Sequence, residues 1–96
     1  MKEKEIYRQK IQAQLDEWKA ELEKLRAKAQ KSSADVRLKS MEQIKKLEGK
    51  VEEGQKKIKE LAETSDEAWD SVKDGFKSAW EALREGFQDA AAKFKD

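Results

Sequence analysis

The chain has no cysteine, no histidine and no proline, only four glycines, and no long apolar run. Without cysteine there is no disulfide framework. Without histidine, zinc, copper and haem lose their usual ligands, and no cofactor is expected. Without proline, nothing forces a helix to stop. No stretch approaches the roughly 18 consecutive apolar residues of a membrane-spanning helix. The start, Met1-Lys-Glu-Lys-Glu, leads into no apolar segment, so the expectation is a cytoplasmic protein without a signal peptide.

What is present is charge: 45% of the 96 residues are Asp, Glu, Lys or Arg, and 36% are hydrophobic. This composition predicts one domain of long solvated helices with thin apolar seams, an all-α fold. The net charge is +1. Phosphate binding needs a local excess of cations, so no nucleic-acid partner is expected.

The last third repeats every eleven residues, as TSDEAWDSVKD, GFKSAWEALRE and GFQDAAAKFKD. Eleven residues make 3.67 per turn, so equivalent positions stay aligned along an α-helix. Trp69, Val72, Phe76, Trp80, Leu83, Phe87 and Phe94 then form one aromatic face over 66–95. Such a face is core or, alternatively, a lipid-contacting surface. As core it is expected to pack on Ile44, Leu47, Val51, Ile58 and Leu61. Gly75 and Gly86 beside it predict close approach of another helix.

Residues 3–31 carry a second seam. Ile11, Leu15, Trp18, Leu22, Leu25 and Ala29 alternate in steps of four and three, the spacing of a coiled coil. Residues 34–63 continue with Val36, Met41, Ile44, Leu47, Val51, Ile58 and Leu61. Gly49 and Gly54 predict the softest interior stretch, each costing about 1 kcal/mol relative to alanine. Leu25, Val36, Leu47, Ile58 and Trp69 are spaced by eleven, which carries the apolar register through Ser32-Ser33. That continuity favours one helix over 3–63 despite a weak capping pair, Ser32 with Asp35. Thr64-Ser65-Asp66-Glu67 is a stronger boundary, with Thr64 and Glu67 as a capping box.

Residues 37–59 hold eight bases against four acids, and 64–96 hold eight acids against five bases. The third segment is therefore expected to fold back on the second. The expected architecture is a long antiparallel helical hairpin or coiled-coil bundle whose first seam, Ile11, Leu15, Trp18, Leu22 and Leu25, makes a homodimer or meets another helical protein. A three-helix bundle turning at both serine-containing sites is the alternative.

Catalysis is not expected. General acids and bases need a pocket that shifts their pKa, and the carboxylates here fall on solvated faces. The acidic lines Asp66–Asp70–Asp74 and Glu81–Glu85–Asp89 lack the loop geometry of an oxygen cage. The predicted role is a non-enzymatic structural or interaction protein acting through helix–helix association.

GFKSAWEALRE and GFQDAAAKFKD resemble the eleven-residue repeats of the apolipoprotein A/E class. IQAQLDEWKAELEKLRAKAQ, followed by AWDSVKDGFKSAWEAL, resembles small bacterial coiled-coil proteins of no established activity. The first resemblance implies lipid-surface binding by helices that open and repack; the absence of proline between helices departs from it. Neither implies catalytic residues.

Overall fold

A computed structural model describes residues 2–95. Met1, where the leader reading begins, and Asp96, which closes the third repeat, lie outside the described residues. Three helices follow one another: α1 Glu3–Gln30, α2 Ala34–Glu63 and α3 Asp66–Ala92, with a 3₁₀ turn at Lys93–Lys95. They form an up-down-up bundle with extents of 52 × 20 × 18 Å. α1 and α3 run parallel, as shown by Lys2 bonded to Asp66 at one end and Lys28 to the Phe94 carbonyl at the other.

The continuous helix over 3–63 is corrected: the chain turns at 31–33. Both turns are built from adjacent hydroxyl residues with opposite duties. Ser32 Oγ donates back to the Lys28 carbonyl at 3.0 Å, and Thr64 Oγ1 to the Glu60 carbonyl at 2.7 Å. These bonds satisfy carbonyls left over at a helix end. The next residue then caps the following helix. Ser33 Oγ accepts from the Val36 amide at 3.4 Å, and Ser65 Oγ from the Ala68 amide at 3.1 Å. The caps therefore lie one residue beyond those the capping-box patterns suggest. No residue needs a positive φ at either turn, which is why glycine and proline are dispensable there. The eleven-residue register crosses the breaks because each new helix resumes the seam in phase. The exception is Val36, which stays 47% exposed.

Gly54 is buried in α2. A Cβ there would lie 2.9 Å from Leu15 Cδ1 and 3.3 Å from Trp18 Cζ3. The residue that looked like a soft spot is the place where α2 lets bulky side chains of α1 and α3 meet. Gly75 is open, so no helix approaches it, whereas a Cβ on Gly86 would lie 3.1 Å from Lys50 Cε of α2, the close approach of another helix expected there.

Candidate functional site

All five residues of the α1 seam are buried, with Ile11 and Leu15 essentially inaccessible. They share one core with Leu47, Val51, Ile58 and Leu61 of α2 and with Trp69, Trp80, Leu83 and Phe87 of α3. The seam that seemed to require a second chain is covered by its own. The reason is the turn at Ser32-Ser33, which brings α2 back along α1.

The aromatic face of α3 is core over most of its length. Trp69, Trp80, Leu83 and Phe87 are buried, and Phe76 and Phe94 are partly buried against them. Val72 is the exception, at 46% exposure. Core-facing positions on α3 advance as 76, 80, 83, 87 and 90, in steps of four and three. The half-buried position between Trp69 and Phe76 is Lys73 rather than Val72, and its ammonium reaches Glu3 of α1 at 3.6 Å.

The aromatics of α3 find rings on α1. Tyr7 stacks on Trp69 with centroids 5.6 Å apart and meets Phe76 edge-on at 6.0 Å. Trp18 stacks on Trp80 at 5.0 Å and on Phe87 at 5.2 Å. Pairs of this kind add about 0.5–1.5 kcal/mol beyond their buried area. Trp80 Nε1 donates to Gln14 Oε1 at 2.7 Å, while Trp69 Nε1 is buried without an acceptor. Tyr7 and Gln14 were missed by the sequence reading. The signal was available: Tyr7, Trp18 and Ala29 are eleven apart, like Trp69, Trp80 and Ala91. Two parallel helices sharing that period can set ring against ring.

Polar groups decorate the edges of this core. Among the described residues, the ion pairs between helices join α1 to α3 and α1 to α2. None joins α2 to α3, so the charge matching expected of the fold-back is not realised as contacts. A hydrogen bond from Lys77, with Lys73 nearby, holds the Glu3 carboxyl below its ordinary range. Lys2 does the same for Asp66, and Arg84 for Glu81. These carboxylates lie at the surface, and such pairs are weak.

Tyr7 behaves differently. Burial, with Glu81 nearby, pushes its phenol up to about 12. The neutral phenol is thus favoured in the fold. Its contribution is complete below the unfolded tyrosine pKa and is lost as pH rises through about 12. As the chain has one tyrosine, tyrosinate absorbance should titrate well above 10 in the native protein and near 10 in denaturant, a figure typical of free tyrosine. A native midpoint near 10 would place Tyr7 outside the core.

Among the described residues, no group of three or more carboxylates is arranged to hold a metal ion, and no helix is long and apolar enough to cross a membrane.

The fold and its repeats define a repeat-containing, all-helical protein. A family model described as TMP repeat matches residues 69–79 and 80–90. These units, WDSVKDGFKSA and WEALREGFQDA, have the eleven-residue period described above and each opens on a tryptophan of the buried stack. No curated protein and no solved structure matches the chain.

Proposed function

We propose that this chain acts by binding, as a non-enzymatic structural protein whose outer faces associate with other helices, those of a second copy or of another helical protein. The observation that carries this reading is the set of apolar side chains left outside the bundle. Leu38 and Met41 lie three apart on α2, 67% and 52% exposed, a spacing that puts them on one face. Arg37, Lys39 and Lys45 surround them in sequence. On α3, exposed Val72 adjoins Gly75 and Ala79 along a shallow groove, with Asp70 and Asp74 close in sequence. Asp35 and Glu42 adjoin the first patch as well, and Lys57 and Lys73 the second, so both are apolar patches with rims of mixed charge, and such rims fix register more than affinity.

Light scattering coupled to size exclusion tests it. The wild-type mass should rise above 11.1 kDa with concentration. Leu38→Glu combined with Met41→Glu should restore the monomer with helicity unchanged. A wild-type protein that stays monomeric at high concentration would remove self-association and leave only a different helical partner.

Lipid-surface binding by α3 is the second reading. It is favoured by the amphipathic character of the tryptophan repeats and by their likeness to the apolipoprotein A/E class. In this bundle it requires α3 to leave α1, separating Trp18 from Trp80 and Phe87.

A further inference from the structure

The core is filled unevenly along its length. The first two rungs between α1 and α3 are ring on ring, Tyr7 with Trp69 and Trp18 with Trp80. At the third, Ala29 and Ala91 hold the equivalent positions. On α2 the buried position nearest this end is Ser40, where Leu47, Val51 and Ile58 serve elsewhere. Small residues cannot fill the width that the Leu and Trp layers set. A cleft of 380 Å³ remains at this end of the bundle, within the range of small-molecule sites.

Its lining has a definite chemistry. Ala29, Val36 and Phe94 supply apolar wall, and Lys28, Lys39 and Lys93 supply cations. Among the described lining residues there is no carboxylate. The comparable groove beside Trp18 and Phe87 carries Glu17 and Glu21 instead, so the positive sign belongs to this cleft and not to the whole surface. Gln43 also lines it, and its Oε1 is buried without a hydrogen-bond partner. The other end of that amide, Nε2, is a donor.

We propose that this cleft binds a single-chain amphiphilic anion, a fatty carboxylate or its alkyl phosphate counterpart. The tail lies on Ala29, Val36 and Phe94. The head group sits among the lysines and takes a hydrogen bond from the Gln43 amide. Of the aromatic face the site takes Phe94, and occupying it leaves the Trp18–Trp80 stack closed.

Backbone amide shifts of the full chain test this, with decanoate, decyl phosphate, decyltrimethylammonium and acetate, each below its aggregation threshold. Decanoate or decyl phosphate should shift Ala29, Ser40, Gln43 and Phe94 saturably, and the two arms rank the head groups. Decyltrimethylammonium should bind at least tenfold more weakly, and acetate should produce no saturable shift. Ser40→Leu fills the cleft and should weaken binding more than tenfold. Lys39→Glu with Lys93→Glu changes exposed residues, should keep the fold, and should weaken the anions about tenfold. Equal shifts from the cationic and anionic amphiphiles would overturn the proposal. So would full binding to a folded Ser40→Leu variant, or anion affinity unaffected by the lysine reversals.

Discussion

Leu22→Lys is expected to abolish the bundle. Leu22 is 4% exposed within a seam covered by α2 and α3. An unpaired ammonium buried there costs several kcal/mol, set against a total stability of about 5–15 kcal/mol for a small domain. Helical circular dichroism should collapse, and the chain should run expanded or aggregated. From the sequence alone the same substitution in a dimer seam would give a folded monomer. The two outcomes are easily separated by combining circular dichroism with mass. A compact, fully helical Leu22→Lys monomer would show that the seam faces another chain.

The second large effect is expected for Phe87→Asp. Phe87 is 3% exposed, and its ring lies parallel to that of Trp18. Truncating a buried Phe costs about 3–5 kcal/mol, and a carboxylate in its place adds desolvation. The variant should be largely unfolded in buffer. Phe76→Asp should be milder, because Phe76 is only partly buried. In the wild type, Trp18, Trp69 and Trp80 are all buried. Their emission should be blue-shifted in buffer and should move little when liposomes are added. All three report on contacts between α1 and α3, so no tryptophan needs to be removed to read the signal. A Phe87→Asp protein that remains folded, coupled to wild-type emission that shifts only with liposomes, would reverse the ranking of core over lipid contact.

These expectations rest on features that differ in how far the sequence displayed them. The α1 seam was legible because a four-three alternation of large residues leaves only one face to bury. The tryptophans of α3 were legible for the same reason. Val72 was misplaced because eleven-residue and heptad spacings share most positions and part at that turn, where Lys73 takes the half-buried place. The break at Ser32-Ser33 was hidden because two hydroxyls do the work usually assigned to glycine or proline. Gly54 was read through helix propensity, which sees only the backbone. Its role depends on Leu15 and Trp18 arriving from another helix, and that proximity exists only once the first turn is made. Ser40 was overlooked for a related reason: a small polar residue at a seam position gains meaning from what it fails to fill.

An odd number of antiparallel passes has a mechanical consequence. Residue 2 lies beside Asp66 and residue 94 beside Lys28, at opposite ends of a body 52 Å long. Tension applied between them runs parallel to the helix axes. α1 and α3, which point the same way, are then dragged past each other in shear, and the stacked rings and the Lys73–Glu3 and Lys77–Glu3 pairs share the load at once. A two-helix hairpin pulled from its adjacent ends would instead peel one layer at a time. Rupture force should therefore be higher when this bundle is gripped at residues 2 and 94 than when it is gripped at residues 2 and 63.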